Sequence, residues 1–235
     1  MAAYVAAWSV HSYTALGLPL AMGQVFALFA GDYRAFFFLN CVAVFVDSTD
    51  GTLARRFRVK EVLPQFSGRK LDDIVDFLTF AFLPGIALVQ LRLLPAGLEW
   101  LAALPVLASG YGFCQESAKT EDAFVGFPSY WNVLLLYVFV LHASPTVTAS
   151  LVCVLSALVF VPIHYVYPSR TRLLQSWTVG FGAVWALTLT GLSLYPTEAW
   201  TAPVAWASLA YPIWYLGVSA VHHRQIHAAE AAGVR

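Results

Sequence analysis

Charge is what this sequence has least of: only 11% of its 235 residues are Asp, Glu, Lys or Arg, against roughly 25% in an ordinary soluble domain. The shortage excludes water as the main solvent. Whole stretches of about 20 residues carry no charge, the length that crosses roughly 30 Å of hydrocarbon. Net charge is lacking too, because 13 basic residues balance 13 acidic ones, so bulk electrostatics gives no ground for nucleic acid or an acidic partner. Paired cysteines are absent: Cys41, Cys114 and Cys153 lie far apart, without the spacing of a zinc or redox motif, and read as small packing residues. No Lys or Arg precedes Arg34, so the first apolar run lacks the positive region of a cleaved signal and is expected to stay as a helix. There is no separate soluble segment, low-complexity linker or internal repeat, and residues 1–235 read as one domain.

What the chain does have is apolar length, with 60% hydrophobic residues. Uncharged windows predict an all-α, polytopic transmembrane bundle of about eight spans, near 9–30, 35–56, 70–91, 96–115, 129–143, 146–167, 172–194 and 199–221. Turn chemistry separates them: Gly31 with Asp32, Pro64, Pro95 with Gly97, Ser144 with Pro145, Pro168, and Pro196. Cytoplasmic loops retain basic residues. With both termini cytoplasmic, that side holds Arg55, Arg56, Arg58, Lys60, Arg69, Lys70, Lys119, Arg170, Arg172, Arg224 and Arg235, leaving Arg34 and Arg92 opposite. Eleven against two sets the expected orientation.

Five of the 13 acidic residues are aspartates grouped between positions 47 and 76: Asp47, Asp50, Asp72, Asp73 and Asp76. Asp47 and Asp50 are three apart and Asp72 and Asp76 four apart, so each pair shares one helix face. Two antiparallel helices would bring the pairs together. Ionised carboxylates at membrane depth cost roughly 2.5–3.5 kcal/mol each and repel one another; a divalent cation removes both objections. Oxygen ligands without Cys or His indicate a hard ion, Mg²⁺ or Mn²⁺. Gly51 and Gly68 remove side chains where a ligand can approach the backbone, and Arg55, one turn beyond Gly51, can reach a phosphate oxygen. Together they describe a pyrophosphate cradle.

Written out, the segment is Asp47-Ser-Thr-Asp50-Gly51-Thr-Leu-Ala54-Arg55, a spacer, then Gly68-Arg-Lys-Leu-Asp72-Asp-Ile-Val-Asp76. It resembles the signature of the CDP-alcohol phosphotransferases, D-x-x-D-G-x-x-A-R followed by G-x-x-x-D-x-x-x-D, over about residues 8–172. The resemblance implies a two-metal site of Mn²⁺ or Mg²⁺ held by Asp47, Asp50, Asp72 and Asp76, with Asp76 also the general base. It further implies Gly51, Ala54 and Arg55 against the nucleotide phosphates, with Ser67 and Gly68 across the spacer. That spacer is longer than usual, and His11-Ser-Tyr-Thr14 stands where many members place an asparagine before the threonine. Both departures, with Val59–Gly68 and Lys119–Asn132, resemble the bacterial phosphatidylcholine synthase branch. The implied substrates are CDP-diacylglycerol and choline, and the implied setting is membrane lipid of the bacterial inner membrane, with the site facing the cytoplasm. The oligomeric state is not set; a homodimer is compatible.

A quaternary ammonium cannot donate hydrogen bonds, so a choline pocket needs aromatic faces with or without a carboxylate. His11, Glu116, Tyr130 and Trp131 are the candidates, from a wider set that includes Trp8, Tyr13, Tyr111, Glu121 and Asp122. An aromatic belt at the membrane interface accounts for these Trp and Tyr residues at least as well. Asp73 falls outside the signature and reads as a salt-bridge partner. His223 and His227 have metal-like spacing, but no third ligand is visible and no site is expected there. Acceptors with a phosphate, such as inositol phosphate, need further basic residues that the cytoplasmic side hardly offers; serine stays open as a rival. An ion-coupled transporter is the rival from another class, but its carboxylates should sit near the bilayer midplane rather than beside a basic loop.

Overall fold

The structure, a computed structural model, describes residues 1–115, 123–168 and 170–231, with the backbone alone for 229–231. In hydrocarbon a chain must satisfy its own backbone polar groups, and a helix does so within one segment. The N-terminal run is helical from Ala2 onward. Helix α1 (Ala2–Ala15) and α2 (Gly17–Ala30) are separated by Leu16 alone and together offer 29 residues to a crossing. Gly31 ends α2 in the left-handed conformation (φ 73°), and Asp32 caps α3 (Tyr33–Arg56) by accepting the Ala35 N–H at 2.9 Å. The expected turn is therefore a C-cap running straight into an N-cap. It folds α2 back along α3.

After the single turn α4 (Val59–Val62), Ser67 caps α5 (Gly68–Asp76) by accepting the Lys70 N–H at 3.3 Å. Helix α5 passes through a π-helical turn (Phe77–Phe82) into α6 (Leu83–Gln90), so the expected span 70–91 is one helical segment with a widened middle. In the widened turn the Leu83 N–H reaches back to the Leu78 carbonyl. The Thr79 carbonyl accepts instead from Asn40 Nδ2 at 3.4 Å. Asn40 Nδ2 also approaches Gln24 Oε1 at 3.3 Å, and its own Oδ1 accepts from Asn132 Nδ2 at 3.2 Å. A polar ladder thus lies inside the bundle immediately after Asp76, and π-helical turns of this kind recur at functional sites.

A 3₁₀ turn (Glu99–Ala102) leads into α7 (Ala103–Cys114), followed by β1 (Ala123–Val125), α8 (Trp131–Val140) and α9 (Pro145–Leu158). Then come β2 (His164–Val166), α10 (Gln175–Leu194), α11 (Thr201–Ser208) and α12 (Ala210–Ala231). The segment expected as a helix over 146–167 stops at Leu158. Pro162 has no N–H to donate and biases Val161 away from helix, and the chain continues as β2, antiparallel to β1 with Val125 opposite His164 and Ala123 opposite Val166. This short strand pair is the one departure from an all-helical chain among the described residues.

Four segments are long and apolar enough to cross a membrane: Ala2–Ala30, Tyr33–Arg56, Gln175–Leu194 and Thr201–Ala228; Trp131–Val140 and Pro145–Leu158 are apolar but shorter. The chain is a helical membrane protein. Its main core joins Leu28, Phe36 and Phe37 to Leu135, Val140, Val152 and Leu192, which fixes α2, α3, α8, α9 and α10 together. The carboxylates lie near the far end of α3 from this cluster, about 20 Å along the helix from Arg34 to Asp47 at 1.5 Å per residue.

Candidate active site

Helix α1 packs against both α3 and α5, and Tyr13 and Thr14 near its end, with Gly17 at the start of α2, set the separation of the two carboxylate-bearing helices. Thr14, buried, donates its hydroxyl to Asp50 Oδ2 at 2.7 Å, and the Tyr13 hydroxyl meets Thr49 Oγ1 at 2.8 Å. Gly17, at the joint between α1 and α2, lies so close to Val75 that any Cβ there would overlap the valine Cγ1. On α5 the smallness is reciprocal, because a Cβ on Gly68 would come within 2.8 Å of His11 Cε1. Small residues therefore act here as spacers, letting α5 approach α1 so that Asp72 comes round towards α3.

The carboxylates do converge. Asp47, Asp50 and Asp72 each offer one oxygen, and the three oxygens lie within 4.8 Å of one another. Asp50 is buried and the other two are half-buried. Asp76 is buried at the end of α5, one turn on from Asp72, and is not among the three that meet. A donor set of carboxylate oxygens, one fixed by a hydroxyl behind it, fits a hard divalent ion. Asp73 points elsewhere, towards Arg69 Nε at 3.8 Å across one turn, a partly exposed pair of the kind that contributes little.

Around this cluster, Arg55 is exposed and donates from Nη2 to Thr52 Oγ1 at 2.9 Å, and its guanidinium lies beside Gly51, where a Cβ would stand in ordinary contact 3.5 Å from Nη1. Ala54 packs with Ala7, Val10, Val59 and Leu63, tying α3 to α1 and α4. Ser67 is engaged as the cap of α5. His11 is 5% exposed, its ring against Phe66 at 4.5 Å and Trp8 at 5.9 Å. Its Nε2 is buried with no hydrogen-bond partner among the described residues, and the ring lies beside Gly68 rather than among the Tyr130 group.

Of the residues expected at a choline pocket, Glu116 lies outside the described residues, as do Glu121 and Asp122. Trp131 is 2% exposed, its indole N–H bonded to Ser109 Oγ at 2.8 Å and its ring packed on Phe127; both contacts belong to the core between α7 and α8. Tyr130 differs. It retains 41% exposure. Its hydroxyl stands close to that of Tyr215, and Tyr215 donates to the Val166 carbonyl at 3.0 Å. Asp47, Tyr167 and Tyr211 lie within electrostatic reach of the same hydroxyl, and Tyr211 pairs with Tyr215 at 6.4 Å and with Trp185 at 4.9 Å between ring centroids. Helix α12 thus brings two tyrosines to the neighbourhood of Tyr130.

No family model matches the chain. Curated relatives do. The phosphatidylcholine synthase of Legionella pneumophila is 39% identical over 170 residues, covering 71% of this chain and 67% of the relative. That of Pseudomonas aeruginosa is 38% identical over 183 residues, covering 77% of each. The chain belongs to the phosphatidylcholine synthase family. The Agrobacterium fabrum phosphatidylcholine synthase extends the match to 203 residues at 36% identity, covering 84% of each chain. For this member of the phosphatidylcholine synthase family, sequence reasoning missed Thr14 as the residue holding Asp50, and Tyr211 and Tyr215 as neighbours of Tyr130. The signal for Thr14 was present, a hydroxyl inside the first-helix pattern. For the two tyrosines nothing in the sequence set them apart from an interfacial belt.

Proposed function

We propose that this chain transfers the phosphatidyl group of CDP-diacylglycerol to choline, giving phosphatidylcholine and CMP, at the cytoplasmic face of a bacterial inner membrane that it crosses about eight times. The observation that carries the reading is the meeting of Asp47, Asp50 and Asp72 within 4.8 Å in a chain of this family. Mn²⁺ or Mg²⁺ ions, when bound, neutralise the pyrophosphate and stabilise the departing CMP. Asp47, Asp50 and Asp72 would hold them, with Asp76 alongside.

The protein's own groups do the rest. Gly51 and Gly68 let the nucleotide phosphates approach backbone, and Arg55 turns from Thr52 to a phosphate oxygen. The buried His11 Nε2, beside Gly68, offers one more polar contact to the nucleotide side, which shifts His11 from the choline pocket to the donor. Asp76 accepts the proton of the choline hydroxyl as the choline oxygen bonds to the lipid-bearing phosphorus and the bond from that phosphorus to CMP breaks. Burial of Asp76 (7% exposed) keeps competing water from this proton transfer. The trimethylammonium lies against the faces of Tyr130 and Tyr211, where the ring quadrupoles and the Asp47 charge favour a cation that donates no hydrogen bond.

The test uses purified protein with CDP-diacylglycerol, Mn²⁺ and labelled choline or serine. Choline should be incorporated and serine not, and Tyr130→Leu should raise KM for choline while CDP-diacylglycerol binding persists. Serine turnover above choline turnover would overthrow the assignment of the acceptor.

A further inference from the structure

Helix α12 presents Tyr215, Ser219, His223 and His227 at successive intervals of four residues, hence on one face. Strand β2 lies along that face. Val166 is held at both ends, its N–H donating to Ser219 Oγ at 3.0 Å and its carbonyl accepting from Tyr215 at 3.0 Å. Two residues of strand advance about 6.6 Å, and four residues of helix about 6 Å. With Val166 fixed at Tyr215 and Ser219, His164 must therefore arrive at the next turn, where its Nδ1 lies 3.2 Å from His223 Nδ1. His227 completes the group: its ring stands at 90° to that of His223 with centroids 4.4 Å apart, and 5.7 Å from that of His164. One ring nitrogen from each of the three lies within 4.8 Å of the others.

We propose that His164, His223 and His227 form a second metal site, chemically distinct from the carboxylate cluster, for a borderline divalent ion such as Zn²⁺. The third ligand, invisible from the spacing of His223 and His227, is delivered by the β-strand 59 residues upstream. Three imidazoles select Zn²⁺, Cu²⁺, Co²⁺ or Ni²⁺ over Mg²⁺ or Mn²⁺, which prefer oxygen. Tetrahedral Zn²⁺ with bonds of about 2.05 Å separates its ligand atoms by about 3.4 Å, close to the observed 3.2 Å between two of these nitrogens. Coordination by His223 Nδ1 replaces the long 3.2 Å bond it accepts from the His164 N–H. His164 and His223 are half-buried and His227 is exposed, so an ion has an entry path and water can fill a fourth position and meet that N–H. A metal here clamps β2 to α12, the two elements that between them present Tyr165, Tyr211 and Tyr215, and it does so whatever alcohol the enzyme accepts.

The experiment titrates Co²⁺ and Zn²⁺ into the purified full chain in detergent micelles. Co²⁺ should produce the intense visible absorption of a tetrahedral nitrogen site, displaced by Zn²⁺ at one equivalent, and excess Mg²⁺ should leave the band in place. The band should survive in Asp72→Asn, which breaks the carboxylate cluster, and disappear in His164→Ala and His223→Ala. His227→Gln changes an exposed side chain, so the fold tolerates it; it should weaken Co²⁺ binding at least tenfold and abolish any rise in melting temperature on adding Zn²⁺. An unaltered band in His227→Gln, or no such band in the unsubstituted protein, would overturn the proposal, and a band lost only in Asp72→Asn would assign the ion to the carboxylates instead.

Discussion

Thr14→Val separates the positioning of Asp50 from its chemistry. The two side chains have nearly the same shape, so the substitution deletes one hydroxyl in a buried setting. Thr14 Oγ1 has a single proton and two candidate acceptors, Asp50 Oδ2 at 2.7 Å and the Val10 carbonyl at 3.4 Å; the shorter bond to a charged oxygen takes the proton. Hydrogen bonds to charged groups contribute about 1.5–3 kcal/mol. If that energy is what aims Asp50 at its ion, its loss weakens divalent-metal affinity roughly 10- to 100-fold at 1.4 kcal/mol per decade. The assay is CMP release as a function of Mn²⁺ concentration. Thr14→Val should move the half-saturating Mn²⁺ concentration up by one to two decades and recover most of its rate at high Mn²⁺, while Thr14→Ser, which keeps the donor, should track the unsubstituted protein. A Thr14→Val enzyme with unchanged Mn²⁺ dependence would refute the idea that this hydroxyl orients a metal ligand.

Gly17→Ala should displace α5 from α1 through the overlap with Val75 Cγ1; overpacking of this kind costs about 1–3 kcal/mol, read as a lower melting temperature and reduced CMP release, both partly restored by Val75→Ala. Asn40→Leu removes the donor to the Thr79 carbonyl and the acceptor for Asn132. Leaving those partners unsatisfied in the bundle should cost about 1–3 kcal/mol each, and if the ladder holds the π-helical turn in shape, kcat should fall more than KM for CDP-diacylglycerol rises.

The meeting of Asp47, Asp50 and Asp72 was legible because its determinants are local: two short runs at fixed helical intervals, joined by a loop that must turn the chain back, whereas Asp76, one turn beyond Asp72, is not among the three that meet. The membrane character followed equally directly from the scarcity of charge. Hydropathy served less well where polar function interrupts apolar length. The helix carrying Asp72 and Asp76 contains a π-helical turn that no periodicity of 3.6 describes, and the window over 146–167 hid a proline and a strand. Long-range pairings were out of reach for a different reason: His164 with His223, Tyr130 with Tyr215 and Thr14 with Asp50 are set by how separate elements pack, and residue spacing along one element cannot report on its neighbour. Trp131 shows the converse, an aromatic placed at the right membrane level whose ring the core between α7 and α8 has already taken.

The central claim is that carboxylates from two helices hold the divalent ion that phosphatidyl transfer needs. Anomalous diffraction at the manganese edge, from crystals grown with Mn²⁺, tests it most directly. A manganese peak should lie about 2.2 Å from oxygens of Asp47, Asp50 and Asp72, and should vanish in Asp72→Asn together with choline incorporation. Full choline incorporation by a protein showing no peak at these three residues would contradict the account.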